Sequence, residues 1–331
     1  MKNKNSFSRQ EGEERKRSIV CAFLLLITAI VWGFAFVSQS VGAQYIGALT
    51  FLSARCWIAV AVLLPVTVIL LRSDRKKAAK GAPSGDTTDR ANGEKKTDLK
   101  LLLAGGIICG TALFSASFAQ QAGIAYTTTA KSGFITTLYV ILVPVLSVFL
   151  GKRPDLKVWC CVILGVIGLY FLCMNGSEGG VNKGDLITML CALLFSIQIL
   201  AVNHFVKSIN GIVLSFLQTL TEAILATVLM LIFEQPAATQ LRAAAPAILY
   251  AGVMSSGVGY TLQAVAQEGL DPTVAALIMC LESVFGAVGG WLILGQKLTG
   301  RELFGCALMF LAVVLAQLPT EWLLKNRRKK V

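Results

Sequence analysis

Apolar residues run along this chain in long uninterrupted blocks separated by short polar gaps. The pattern is neither the two-residue alternation of a half-exposed strand nor the narrow stripe of a surface helix. A helix rising 1.5 Å per residue needs about 20 residues to cross a hydrocarbon layer about 30 Å thick. Blocks of that length cover approximately 18–37, 47–71, 100–119, 127–150, 156–174, 184–206, 210–233, 244–265, 273–295 and 302–319. They predict an all-α membrane protein with ten transmembrane helices. Continuous apolarity disfavours a membrane β-barrel, whose strands alternate. The first block follows Arg15, Lys16 and Arg17, as a signal peptide would. Its apolar run of about 20 residues is longer than a signal core and reads as a retained helix.

Composition agrees. The 331 residues are 55% hydrophobic and 15% charged, with a mean hydropathy of +0.70, whereas soluble domains carry about 25% charged residues. The net charge of +12 raises nucleic acid as a partner, but the basic residues flank the apolar blocks, where anchoring to membrane lipids explains them better. Counted with the N-terminus inside, 24 Lys and Arg fall in cytoplasmic segments and 4 in outer loops. That asymmetry predicts an inner (plasma) membrane protein with cytoplasmic basic tails at 1–17 and 320–331. The polar stretch 72–99 reads as a flexible cytoplasmic connector. Nine cysteines lie in apolar blocks, without C-x-x-C spacing and with His204 as the sole histidine. Neither disulfide, zinc nor haem follows, and no metal or other cofactor is expected.

A shift of 144 residues places Leu150-Gly151 on Leu294-Gly295, Ala122 on Ala266, Leu164 on Leu308 and Lys157 on Arg301. The same shift superposes the block boundaries, dividing the chain into five-helix halves at 18–174 and 184–319. Five is odd, so the second half enters the membrane inverted, a plan of secondary transporters with a substrate site at mid-depth.

Ionisable residues inside the blocks are Arg55, Lys131, Glu222 and Glu282. Each costs about 2.5–3.5 kcal/mol or more at mid-bilayer and so should face a cavity or a partner. Lys131 sits among hydroxyls, and Thr129, Ser132 and Thr136 share one helical face, with Tyr139 beyond. These read as substrate-facing; interhelical bonding with a snorkelling lysine is the alternative. Glu282 suits a cationic group, proton exchange, or pairing with Lys131 or Arg55. Glu222, with Gln218 one turn earlier, and Gln263 and Gln267 with Tyr260 are further candidates, while Arg55 reads as an ion-pair partner. Gly106-x-x-x-Gly110 and Gly286-x-x-x-Gly290 permit close helix approach, and Pro144 predicts a kink.

Trp32-Gly33, the fourth block YTTTAKSGFITTLYVILVPVLSVFLGKRP (126–154), GYTLQAVAQ (259–267) and LIMCLESVFGAVGGWLILGQKLTGRELFG (277–305) resemble the EamA-type members of the drug/metabolite transporter superfamily. Ser283 departs from the proline common after the glutamate, and Gln296 from the acidic residue common after the glycine. The resemblance implies a ten-helix, five-plus-five carrier of small metabolites, amino acids or drugs, often outward. The partner expected is a small-molecule substrate, with proton coupling and homodimerisation left open. No G-x-x-x-x-G-K-[ST] run exists, so ATP hydrolysis is disfavoured. A membrane-embedded enzyme acting on lipid or prenyl groups is the alternative, but the blocks lack the acidic or histidine clusters it needs. The chain is therefore read as a carrier and not as an enzyme.

Overall fold

The computed structural model describes residues 2–80, 99–127, 129–152, 154–173, 182–294 and 299–318. Every regular element in it is helical: α1 (Lys2–Gly42), α2 (Ala48–Lys80), α3 (Leu99–Ile124), α4 (Thr129–Thr137), α5 (Tyr139–Phe149), α6 (Leu156–Cys173), α7 (Lys183–Phe205) and α8 (Gly211–Phe233). After these come α9 (Ala238–Tyr250), a π-helical stretch (Ala251–Gly259), α10 (Tyr260–Gln267), α11 (Pro272–Met279), α12 (Glu282–Leu294) and α13 (Gly300–Gln317).

Eight spans among the described residues are long and apolar enough to cross a membrane. The fifth and tenth expected spans correspond to α6 and α13, 18 residues each, or about 27 Å of helix. Large apolar side chains project from the bundle: Phe149 is 83% exposed, Leu156 79% and Phe233 72%. A water-soluble surface would not carry so many, and lipid is their natural solvent. The chain is a multi-pass membrane protein.

Several expected boundaries move. The basic residues of 1–17 continue α1 as helix from Lys2, and 72–80 continue α2. Of the 72–99 connector, residues 81–98 lie outside the described residues and Leu99 opens α3. The eighth span begins at Ala238, earlier than the apolar block at 244, and the Gln240 side chain caps it by accepting the Ala237 N–H at 3.1 Å.

Helix contacts come in matched sets. As α3 packs on α7, so α1 packs on the π stretch with α9 and α10; as α3 packs on α8, so α2 packs on the π stretch. Likewise α1 lies against α11 and α12, while α7 lies against α4 and α5. The pairs α2–α8 and α6–α13, and the crossing of α4–α5 with α11–α12, complete the set. Small residues make the closest of these possible. A Cβ on Gly33 would stand 2.5 Å from Phe285 Cβ and 2.7 Å from the backbone nitrogen of Gly286, so α1 and α12 touch almost backbone to backbone.

One tie crosses the whole chain. The Glu234 carboxylate, just past α8, accepts the backbone N–H groups of Leu49 at 3.0 Å and Thr50 at 2.8 Å. A side chain from elsewhere in the molecule thereby satisfies donors that α2's first turn leaves open.

Candidate transport cavity

Two expected spans carry a short break in the α-helical hydrogen-bond ladder at mid-length, where helical dihedrals persist but bonds tighten to i→i+3. The fourth divides at Leu138 into α4 and α5, and the ninth divides at Cys280–Leu281 into α11 and α12. Pro144 lies inside α5, six residues beyond the break. Although Ser283 replaces the proline common in the resembling family, the ninth span breaks too. Tyr139 opens α5 and Glu282 opens α12, so the two breaks bring their first residues face to face. The Tyr139 hydroxyl donates to Glu282 Oε1 at 3.1 Å. On the α4 side, Ser283 Oγ lies 3.1 Å from Thr137 Oγ1 and 3.3 Å from the Gly133 carbonyl.

Between the breaks lies a narrow cavity of about 20 Å³, room for about one water molecule. Its wall has an aromatic portion (Trp32, Phe36, Tyr139, Phe195, Tyr260) and an amide-rich portion (Gln39, Gln120, Gln198, Gln263), with Thr136, Ile199, Ser255 and Glu282 completing it. Trp32 is held firmly. Its indole N–H donates to the Ser255 carbonyl at 3.3 Å, inside the π-helical stretch where the i→i+4 ladder is interrupted. The ring lies 4.9 Å from that of Tyr260 and against Gly259, where a Cβ would come 2.4 Å from Trp32 Nε1. The amides form a relay: Gln263 Nε2 donates to Gln198 Oε1 at 3.2 Å, and Gln198 Nε2 to Gln218 Oε1 at 3.3 Å. Gln120 Nε2 reaches Thr136 Oγ1 at 3.5 Å.

Of the candidates named from sequence, Thr136, Tyr139, Tyr260, Gln263 and Glu282 are brought together on this wall. Ser132 is fully buried, and no described group meets its hydroxyl. Gln267 is buried behind the wall, donating to the Ile199 carbonyl at 3.1 Å. Glu222 is not on the wall. It lies on α8, 3.4 Å from the Arg55 guanidinium of α2, with both side chains essentially inaccessible. Glu282 is therefore not paired with Arg55; Glu222 occupies that role. The side chains of Lys131 and Thr129 lie outside the described residues.

Sequence reasoning found Tyr139, Tyr260 and Gln263 but overlooked Gln39, Gln120 and Gln198 and the aromatic rings of Trp32, Phe36 and Phe195 on the wall. Their signal was present: Phe36-x-x-Gln39 in the first span repeats as Phe195-x-x-Gln198 in the sixth. Gln120 and Gln263 stand at the 143-residue separation that also relates Tyr139 to Glu282, one residue short of the 144-residue shift.

The chain matches the EamA-like transporter family twice, over residues 19–174 and 182–318. It belongs to that family, and with it to the drug/metabolite transporter superfamily. Membership makes transport across a membrane its class of activity. A protein of Archaeoglobus fulgidus described as an uncharacterized transporter is 27% identical over 321 residues, covering 95% of this chain and 92% of its own. A solved crystal structure, 17% identical, superposes with a TM-score of 0.67 over 90% of this chain and 98% of that one. At that identity the likeness is one of fold.

Proposed function

We propose that this EamA-like transporter is a secondary active carrier of the inner (plasma) membrane. Its ten spans form two inverted halves, 18–174 and 184–319, with both termini in the cytoplasm. It moves a small metabolite, amino acid or drug by alternating access, in the outward direction. The observation that carries this reading is the construction of the cavity. It lies where two broken spans meet, and its polar wall draws matched residues from both halves: Gln39 with Gln198, Gln120 with Gln263, and Tyr139 with Glu282. The matched helix contacts and the double family match support the same division. Rocking one half against the other around such a cavity exposes it to each side in turn.

In this reading Glu282, Gln263, Tyr260, Tyr139 and Thr136 contact substrate, and Lys131, Thr129 and Ser132 extend the polar face of the fourth span. Glu222 and Arg55 act as a neutral structural pair beside it. The test begins by comparing solutes in cells that lack or overproduce the protein. The solute so found is then followed by counterflow in proteoliposomes. Saturable counterflow by the wild type, lost in Glu282→Gln with insertion intact, is the expected result. Non-saturating flux would indicate a channel, and chemical conversion without vectorial movement an enzyme; either outcome removes the proposal.

A further inference from the structure

We propose that the connection from α10 to α11, residues 268–271, is the cytoplasmic gate of this molecule: a clasp between the two halves that releases to admit solute to the central cavity. The inference rests on the carrier reading and assigns the part that moves.

The central cavity has room for about one water molecule, so an organic solute enters only when one end of the bundle opens. On the proposed topology, contacts between the halves close both ends. At the outer end the Thr127 hydroxyl donates to Asp185 Oδ1 at 2.5 Å. There a Cβ on Gly184 would stand 2.8 Å from the Gly123 carbonyl oxygen. Asp185 is 4% exposed, so this closure is dry and made almost backbone to backbone.

The cytoplasmic end is held by side chains instead. Glu268 Oε1 accepts the Gly211 N–H at the start of α8 at 2.8 Å, and its Oε2 lies 3.7 Å from Arg17 Nη2 on α1. Gly269 covers Cys21 of α1, where a Cβ on the glycine would come 2.8 Å from the Cys21 Sγ. Asn203, near the end of α7, donates to the carbonyls of Gln267 at 3.4 Å and Leu270 at 3.3 Å. It also accepts from Lys152 Nζ, just past α5, at 3.1 Å. Arg17 and Lys152 come from the first of the proposed halves, Glu268 and Asn203 from the second, so the clasp spans the seam.

This end is built to release. Arg17 and Glu268 are 63% and 27% exposed, and an ion pair so placed holds weakly and is screened by salt. Burial and the like charge of Lys207 hold Lys152 below the ordinary lysine range, with Asp271 opposing them. A repulsion therefore sits inside the clasp. When the connection lifts, water can take over the bonds made by Glu268 and Asn203. At the outer end a buried carboxylate and two apposed backbones would have to part first.

Two native thiols read the motion. Cys21 is 6% exposed beneath Gly269, whereas Cys56 is fully buried between α2 and α8, away from the clasp. The purified full chain in non-ionic detergent is treated with iodoacetamide, which is small and uncharged, and alkylation of each thiol is followed by mass spectrometry. Wild-type Cys21 should react slowly at low salt and about two- to fivefold faster at high salt, the scale of one exposed ion pair. Arg17→Gln should reproduce the faster rate and remove its salt dependence. Asn203→Ala, which frees two carbonyls and a lysine, should accelerate Cys21 about tenfold or more, with Cys56 unreactive throughout. A wild-type Cys21 rate indifferent to salt, or one that rises only together with Cys56, overturns the proposal; this measurement decides even where a variant does not fold. Salt-dependent Cys21 alkylation in a protein that exchanges no solute keeps the moving clasp and removes the carrier reading. Saturable counterflow with Cys21 indifferent to salt and to both variants does the reverse.

Discussion

At the residue scale, the molecule separates its buried charges by role. Arg55 and Glu222 neutralise one another between α2 and α8, whereas Glu282 faces a cavity with a tyrosine hydroxyl as its described partner. Removing one member of a buried pair strands the other in low dielectric, at about 3–5 kcal/mol. Arg55→Met and Glu222→Gln should each lower the thermal unfolding temperature in detergent by several degrees, and Arg55→Met combined with Glu222→Leu should recover most of the loss. Additive losses in the double variant would sink the pairing as a stabilising unit. Tyr139→Phe keeps the ring and deletes the hydroxyl, so it should reduce counterflow severalfold with little effect on thermal stability. Equal losses in both measurements would make Tyr139 a packing residue. The charges were easy to find in the sequence because each is expensive in lipid. Gln263 was found beside Tyr260, but Gln39, Gln120 and Gln198 were not, because a glutamine in an apolar span gives no such signal alone. The repetition of Phe36-x-x-Gln39 as Phe195-x-x-Gln198 distinguishes two of them, and the 143-residue separation from Gln263 distinguishes Gln120.

At the scale of elements, irregularity in the helices builds the cavity. Block lengths and polar gaps made most spans legible, since apolar length is a direct demand of the bilayer. The internal breaks were not legible. Pro144 pointed to a kink, yet the chain divides six residues earlier, and the ninth span divides without a proline. Where a helix parts depends on what packs against it, which local sequence does not contain. The π-helical stretch likewise packs on α1 and α2. Successive residues of an α-helix are turned by about 100°. A wide turn holds one extra residue, so deleting one within 251–259 should restore α-helical winding with Tyr260 and Gln263 nearly in register, while removing the widened turn that presents the Ser255 carbonyl to Trp32. The expected result is an inserted, monodisperse protein without counterflow; retained transport would show that the wider winding is dispensable. Gly33→Leu, which drives a side chain into Phe285, should separate α1 from α12 and lower both stability and transport.

At the scale of the whole molecule, the proposed topology makes a labelling prediction. In a cysteine-free background, Tyr45→Cys should react with an impermeant maleimide added to intact cells, and Lys207→Cys only after the membrane is opened. The opposite pattern would reverse the insertion read from the loop charges. The Glu234 carboxylate has a consequence for the order of assembly. The first turn of α2 enters the membrane early in synthesis, yet its cap is 185 residues further along the chain than Leu49. Until α8 has been made, α2 lacks both that cap and much of its packing surface. The first half should thus behave as an immature intermediate that waits for the second. Residues 1–174 expressed alone should be cleared by membrane proteases, and co-expression of the remaining chain should restore their lifetime in a pulse-chase experiment. With Glu234→Ala in the second fragment that rescue should weaken, because the later half then arrives without the group that finishes the earlier one.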